Sequence, residues 1–231
     1  MIRIFKALGL TFVAVCALGA VMASGASAAE FTAFNTTTAQ HEGGTSTGTD
    51  LSTPVFTVTG NALQVRCSKN SYTGSSATGT EPTPKVKPVY EECGAFLFGF
   101  KVGGATVNPN GCEYQFHITA EKAADEWTGT SSIVCSGTAT GFSITTTNGC
   151  TIEVPAEKNQ AVNGNTYKNT TEKSPTDVDV VVNATNVHSI TSGGESACGT
   201  ANGEHATGTM VSNVTTKAFN NEGKQIDLTV M

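Results

Sequence analysis

Apolar and polar residues alternate along several stretches of this chain. Residues 178–184 have valine or alanine at every second position, and residues 226–230 place isoleucine, leucine and valine in the same way. In residues 112–118, cysteine, tyrosine, phenylalanine and isoleucine alternate with glutamate, glutamine and histidine. Because successive side chains of a strand point to opposite faces, each stretch predicts a strand with one apolar face. The alternation slips near Asn186, which predicts a β-bulge there.

An Asn-Gly-Cys motif occurs twice, at residues 110–112 and 148–150, and each copy precedes an alternating stretch. Asn-Gly accepts the positive φ angles of a type I′ turn, so each copy predicts a β-hairpin. Residues 95–100, ahead of the first copy, are apolar apart from Gly99. They predict a strand that is covered on both faces.

About a dozen such strands follow one another at intervals near ten residues, so the predicted fold class is all-β. We expect an antiparallel β-sandwich, with a β-barrel as the alternative. Two Thr/Gly-rich tracts, residues 41–53 and 73–84, have little to bury and predict loops, as do the polar residues 159–175. Residues 121–126 (Glu-Lys-Ala-Ala-Asp-Glu) predict a single turn of helix.

Residues 1–29 have the features of a secretory signal peptide. Arg3 and Lys6 precede a short apolar core, and small residues before Ala28 and Ala29 suit cleavage after either one. The apolar core is shorter than the roughly 20 residues of a spanning helix, so no stable membrane span is expected after cleavage. Residues 30–231 then form a single all-β domain.

The composition restricts the partners. Without Arg3 and Lys6, 11 basic residues stand against 19 acidic ones, a net charge of −8. An acidic surface repels nucleic acid, so no nucleic-acid partner is expected. The partner is not identified by any motif; a cell-wall or extracellular polymer is the one that export suggests.

Six cysteines remain outside the leader, which contains Cys16. An even number of cysteines in an exported chain predicts three disulfides. If the segments on either side of residues 76–84 pair as antiparallel strands, Cys67 lies opposite Cys93. That leaves two further bridges, for which we expect Cys135–Cys150 and Cys112–Cys198. The repeated motif suggests a rival set of pairs: Cys93–Cys112, Cys135–Cys150 and Cys67–Cys198.

Candidate catalytic residues are few, and each has a structural interpretation that we favour. Residues 44–48 match the Gly-x-Ser-x-Gly elbow of hydrolases but lack the strand before and the helix after that the elbow requires. Asp177 and Asp179 share one face of a predicted strand, so they could bind calcium with loop carbonyls or serve in acid–base catalysis, but we favour an exposed acidic face that protects a sheet edge. The histidines show no metal-binding spacing. The aromatic residues that could stack on a sugar suit core packing better. These candidates are Glu91, Glu92, Asp177 and Asp179; His41, His117, His188 and His205; and Tyr72, Trp127 and Tyr167. We expect no catalytic residue, no metal site and no cofactor.

The leader and the two Asn-Gly-Cys motifs with their alternating strands, the second ending at Val154-Pro155, resemble a set of uncharacterised exported, β-rich, six-cysteine proteins of soil actinobacteria. The resemblance implies export and a β-rich fold. It implies no activity and no catalytic residue.

The expected function is therefore that of a secreted or cell-surface, non-enzymatic module with a structural, adhesive or interaction role. One alternative is a secreted polymer hydrolase, in which several of the candidate carboxylates and histidines would meet in a cleft. Another is a barrel that binds a small apolar ligand, which requires an internal cavity behind residues 96–100.

Overall fold

The computed structural model describes residues 29–60, 63–156 and 162–231. Apart from one helical turn, α1 (Glu195–Cys198), its regular elements are β-strands, and their pairings are antiparallel. The predicted all-β class with disulfides is confirmed. The predicted leader, except for Ala29, lies outside the described residues.

The described residues form 16 strands. They are β1 (Phe31–Asn35), β2 (Gln40–His41), β3 (Gly44–Asp50), β4 (Val55–Thr57), β5 (Leu63–Ser76), β6 (Thr80–Glu81), β7 (Lys85–Leu97), β8 (Phe100–Asn108), β9 (Cys112–Ala123), β10 (Glu126–Cys135), β11 (Gly141–Thr146), β12 (Thr151–Pro155), β13 (Val162–Asn169), β14 (Val178–Ser192), β15 (Gly203–Asn220) and β16 (Gln225–Val230).

Hydrogen bonds join these strands into one sheet whose pairing order returns to its start. Beginning at β7, one circuit runs through β8, β11, β12, β14, β13, β10 and β9 and back to β7. A second connection links β7 to β14 through β5, β3 and β15. The pairings therefore form closed circuits, and buried residues from many of these strands form one core.

The core is formed by every second residue of several strands. Val178, Val180, Val182 and Ala184 of β14 are buried, and the intervening positions are more exposed. In β16, every second residue is likewise buried. The predicted bulge is confirmed, because the β14–β15 register shifts next to Asn186, which has a φ of 59°.

The two predicted Thr/Gly-rich loops are in large part strands, so that prediction was wrong. Within residues 41–53, β3 pairs with both β15 and β5, and within residues 73–84 lie the end of β5 and the short β6. The glycines of β3 allow neighbouring strands to approach closely. A Cβ at Gly48 would lie 2.8 Å from Val214 Cγ1, and one at Gly44 would lie 2.0 Å from the Phe219 carbonyl oxygen. The predicted loop over residues 159–175 is also corrected in part, since β13 lies within it.

The predicted helical turn at residues 121–126 is instead the tip of the β9–β10 hairpin. Asp125 has a φ of 59°, and Glu126 pairs with Ala123 across the tip. Residues 121–125 of this segment are exposed. Pairing with the neighbouring strand therefore determines the structure, and the weak helix propensity of a six-residue segment is overridden.

This hairpin explains why two of the expected disulfides were wrong. The structure contains Cys67–Cys93, as the strand register predicted, but Cys112 is bonded to Cys135 and Cys150 to Cys198. Cys112 and Cys135 are direct partners in the β9–β10 register. Cys150, ahead of β12, reaches α1. The pairs Cys135–Cys150 and Cys112–Cys198 are not formed, and the rival set is not formed either.

The two Asn-Gly motifs form turns of different kinds. Asn110 and Gly111 both have positive φ, as a type I′ turn requires, but they connect β8 to β9, which both pair with β7 and not with each other. The second motif closes the true hairpin β11–β12, with positive φ at Gly149 alone. The first motif therefore predicted the turn correctly and the pairing of its flanking strands wrongly.

The expectation of a covered strand at residues 95–100 was also wrong. β7 ends at Leu97, and Phe98 and Gly99 form a two-residue turn with positive φ at both positions. Phe98 is 71% exposed and Phe100 is 78% exposed. Only the β7 part of this segment is packed, with Ala95 fully buried.

Candidate ligand-binding cavity

The interior of the sheet contains a cavity of about 120 Å³. Strands from β3 to β15 contribute to its wall, which is mostly aliphatic and aromatic. The lining residues are Ser46, Gly48, Pro54, Phe56, Val65, Cys67, Tyr72, Val86, Tyr90, Val107, Tyr114, Phe116, Ser131, Ser132, Ile133, Phe142, Ile144, Val154, Val180, Val182, Ala184, Val187, Met210, Ser212, Val214 and Thr216.

The chain forms this wall because inward positions of facing strands carry side chains of unequal size. Ala184 and Gly48 are small where Tyr114 and Phe142 are large, and the two aromatic rings meet edge to face at 5.1 Å. No Lys, Arg, His, Asp or Glu side chain is among the described residues that line the cavity. The space is therefore suited to a neutral and mainly apolar molecule.

Three tyrosines, which we call the tyrosine cluster, provide the main polar feature of the wall. They are Tyr72 of β5, Tyr90 of β7 and Tyr114 of β9. The hydroxyls of Tyr90 and Tyr114 are hydrogen-bonded at 2.9 Å, and the Tyr114 hydroxyl also donates to Met210 Sδ at 3.6 Å. The rings of Tyr72 and Tyr90 meet edge to face at 6.1 Å.

All three hydroxyls stay protonated at neutral pH. Burial raises the pKa of Tyr114 above its ordinary value, and it raises the pKa of Tyr90 well above it. For Tyr72, burial is again the main cause of a raised pKa, and the neighbouring Tyr114 and Asp50 add to it. The cluster therefore presents O–H donors to the cavity and no phenolate.

The Tyr72 hydroxyl lies among polar side chains of neighbouring strands. Tyr72 is 7% exposed, and its hydroxyl interacts with Ser212, Tyr90 and Asp50. Asp50, at the end of β3, also accepts a long hydrogen bond of 3.5 Å at Oδ1 from Ser212 Oγ. Burial raises the pKa of Asp50, and the neighbours Asn70, Tyr72 and Ser212 oppose that shift.

A second, smaller cavity of about 80 Å³ adjoins the first. Its wall includes Phe31 and Leu228, and it shares Phe116 and Val180 with the first cavity. The Phe116 ring meets Tyr167 edge to face at 6.2 Å, so Phe116 is held between the two spaces.

The candidate carboxylates have structural partners. Glu91 forms an ion pair with Lys69 at 2.6 Å, and Glu92 accepts a hydrogen bond from Ser68. Asp177 is buried and accepts from Gln225 at 3.0 Å, whereas Asp179 accepts from Thr215 at 2.6 Å. The exposed acidic edge that the sequence favoured for Asp177 and Asp179 was wrong, because Asp177 is buried and β14 is paired on both sides.

The histidines lie on different strands and have different contacts. His205 Nε2 lies 2.9 Å from Thr191 Oγ1, and His188 Nε2 lies 3.9 Å from Glu204. The His41 ring meets the Phe34 ring edge to face. His117 of β9 lies between Phe116, which lines the cavity, and Ile118, which packs against the core. Within the described ranges, no group of three or more His, Cys, Asp or Glu side chains is placed to hold a metal ion.

The aromatic candidates are core residues. Trp127 and Tyr167 are buried, and so is Tyr72, which rules out a flat sugar-stacking surface made from these three rings. Ser46, at the centre of the elbow-like residues 44–48, lies in the middle of β3 instead of on a strand-to-helix turn. The elbow is therefore excluded.

The sequence singled out Tyr72 as a candidate for stacking on a sugar and not as part of a cavity wall, and it did not single out Tyr90. The cavity that it required behind residues 96–100 is not found there: Phe98 and Phe100 are exposed, and no residue of this segment lines the cavity. The one usable sequence signal is the position of Tyr114 on the apolar face of an alternating stretch, because an aromatic residue with a hydroxyl on an inward face needs a buried partner.

No helix within the described part of the chain is long and apolar enough to cross a membrane. Comparisons with protein-family models, with curated proteins and with solved structures found no significant match. The assignment of a function to this chain therefore depends on its own geometry.

Proposed function

We propose that this chain is an exported, non-enzymatic protein that binds a small, mainly apolar molecule inside its sheet. The observation that carries the proposal is the cavity of about 120 Å³ with its apolar wall. An engineered apolar cavity of about 150 Å³ in another protein stays dry and binds benzene or xenon, so a space of this size and chemistry suits a ligand of benzene size.

The disulfides support the export part of the proposal. Three bridges indicate that the protein folds in an oxidising environment. Two of them link neighbouring strands of the cavity wall, β5 to β7 and β9 to β10. A wall cross-linked in this way would keep the cavity open without a bound ligand.

The test is a benzene titration observed through labelled methionine methyl groups. Outside the predicted leader the chain has two methionines: Met210 lines the cavity, and Met231 is exposed at the end of the chain. We expect the Met210 methyl resonance to shift with saturation and the Met231 resonance to stay in place. A titration that moves neither resonance, or both equally, contradicts the proposal.

A cavity-filling variant makes the test specific. Ala184→Leu adds three carbon atoms to the wall and should abolish the benzene response of Met210. Asn183→Leu places the same side chain on the outer face of β14, one residue away, and should leave the response unchanged. Equal responses in the two variants would show that benzene binds outside the cavity.

The adhesive role that the sequence favours retains one supporting observation. Phe98 and Phe100 are exposed at the tip of the β7–β8 hairpin, and large exposed apolar patches mark interaction sites. Incubation with cell-wall and polysaccharide fractions tests it: binding that is lost in Phe98→Ser/Phe100→Ser supports adhesion, and no binding by the unmodified chain rejects it.

For the hydrolase alternative, the candidate carboxylates contact residues outside the candidate set, so no observation favours it.

A further inference from the structure

We propose that the two cavities form one site for a single elongated ligand, an unbranched aliphatic chain with a hydroxyl end. The chain fills the first cavity, and the hydroxyl end lies in the second. This inference rests on the proposed function. It adds the shape and the chemical class of the ligand, and it gives the second cavity a role.

The first step is the common wall of the two cavities. Five residues line both of them, one each from β3, β7, β9, β14 and β15: Ser46, Val86, Phe116, Val180 and Thr216. The two spaces therefore lie on either side of one boundary. A molecule that extends past this boundary is in contact with both.

The second step is the size of the ligand. The first cavity measures about 120 Å³ and the second about 80 Å³, so together they offer about 200 Å³. Benzene, with six carbon atoms, occupies an engineered cavity of about 150 Å³, so by the same ratio about 200 Å³ suits about eight heavy atoms. A rigid ring is confined to the first cavity, whereas a flexible chain can bend around Phe116 and occupy both.

The third step is the difference in polarity between the two spaces. Among the described residues that line them, charged side chains occur only at the second cavity, where Glu81 and Lys85 contribute to the wall. The apolar chain therefore belongs in the first cavity and the polar end in the second. A charged end would be attracted by one of these two residues and repelled by the other, and it would lose hydration. The polar end is accordingly neutral.

The fourth step is a hydrogen-bond donor in the second cavity. Ser76 Oγ accepts from the Gly79 N–H at 3.0 Å, so its own O–H remains available to donate. Ser76 and Gly79 line the second cavity and not the first. In the β3–β5 register, Ser76 lies opposite Gly44, which has no side chain to cover it. A ligand oxygen that reaches this end of the site can accept from Ser76.

The experiment titrates the unmodified chain with primary alcohols from butanol to decanol and follows labelled methyl groups. Met210 lines only the first cavity and Leu228 only the second, and Leu51, which is 64% exposed, is the reference. Affinity should rise about fourfold with each methylene group, because burial of one CH₂ contributes about that factor. The rise should end near heptanol, which has eight heavy atoms. Met210 and Leu228 should respond to heptanol on one saturation curve, and Leu51 should not respond.

Two results of this series would overturn the shared site. A rise that ends before hexanol is expected if the first cavity acts alone, and a rise that continues to decanol is expected for binding outside both cavities. Different saturation curves at Met210 and Leu228 would indicate two separate sites and would also overturn it.

The orientation and the charge of the end are tested in the same samples. Nuclear Overhauser effects should join the terminal methyl group of heptanol to Met210 and the CH₂ groups near its hydroxyl to Leu228. The opposite pattern would reject the assigned orientation. Heptanoate and heptylammonium should bind more weakly than heptanol, and tighter binding of either ion would reject the neutral end.

Ala33→Leu fills the second cavity alone, because Ala33 lines that space and not the first. It should weaken heptanol at least about tenfold, since at least two methylene groups of about fourfold each lose their place. The benzene response of Met210 should be unchanged. Ala77→Leu, the matched control, adds the same side chain at an exposed position next to Ser76 that lines neither cavity, and it should change neither ligand. Equal heptanol affinities in the two variants would overturn the shared site.

These outcomes are separate from failure of the proposed function. If neither benzene nor any alcohol moves the Met210 resonance of the unmodified chain, both proposals fail. If benzene moves Met210 and heptanol leaves Leu228 in place, the first cavity is a binding site and only the elongated ligand is rejected.

Discussion

Replacement of Asn169 by alanine should destabilise the protein strongly, because this side chain holds the last strand in place. Asn169 ends β13 and is 5% exposed. Its Nδ2 donates to the Val230 carbonyl at 3.0 Å, and its Oδ1 accepts from the Val230 N–H at 2.9 Å. The asparagine side chain thus mimics a neighbouring strand for one residue of β16.

The β1–β16 register shows why no other group replaces it. Glu30 and Met231 exchange both backbone hydrogen bonds, so the next pair, Phe31 and Val230, is a non-hydrogen-bonded pair of the antiparallel ladder. The N–H and carbonyl of Val230 therefore point away from β1, toward Asn169. Both groups are left unpaired when the amide is removed.

The magnitude follows from these two groups. Each buried, unpaired polar group costs about 1–3 kcal/mol, so Asn169→Ala should lower the free energy of unfolding by about 2–6 kcal/mol. For a domain of this size, 1 kcal/mol corresponds to about 2–4 °C in Tm, so Tm should fall by at least about 4 °C.

Urea denaturation and thermal melting under non-reducing conditions, which preserve the disulfides, measure this effect. Asn183→Ala, on the exposed face of β14, is the control and should change the free energy by no more than about 0.5 kcal/mol. A loss below about 1 kcal/mol for Asn169→Ala, or equal losses for the two variants, would refute the reasoning.

Two further predictions concern the disulfides and a buried carboxyl. In the loop-entropy model, Cys150→Ala/Cys198→Ala opens a 48-residue loop and should lower the free energy of unfolding by about 4 kcal/mol. Cys112→Ala/Cys135→Ala opens a 23-residue loop and should lower it by about 3.4 kcal/mol. Peptide mapping of the unreduced protein checks the pairs, and peptides that link Cys112 to Cys198 would contradict them. Burial raises the pKa of Asp50, so the folded state holds this proton more tightly than the unfolded chain, and ionisation opposes folding as the pH rises above about 4. Asp50→Asn should accordingly gain stability relative to the unmodified chain between pH 4 and pH 7, and a difference that is constant with pH would count against this explanation.

The strands with strict alternation could be predicted from the sequence, because one buried face leaves a period of two in the residue types. Val178 to Ala184 and the last strand are examples, and the same reasoning placed Cys67 opposite Cys93. In these cases the information is local or lies in two strands joined across one connection.

The segments that were misassigned are those whose composition reflects a neighbour in space. Gly44 and Gly48 give β3 the composition of a loop, yet each is required because another strand approaches closely. Residues 121–126 have helix-forming side chains on a hairpin tip, where they face solvent and the strand pairing decides the structure. Once that hairpin was missed, the Cys112–Cys135 bond could not be derived.

The cavity could not be predicted from the sequence, because it is an unfilled space whose wall is formed by side chains from many strands. Ala184 is an ordinary small strand residue in the sequence; it borders a space because other strands place larger side chains, such as Tyr114 and Phe142, around the same cavity.

A diffraction experiment on crystals pressurised with xenon tests the cavity as a ligand site most directly, since xenon occupies dry apolar cavities of this size. The account predicts an anomalous peak inside the sheet, among the side chains of Val65, Ile144 and Val182. Ordered water in that space, or xenon bound only at the surface, would contradict it.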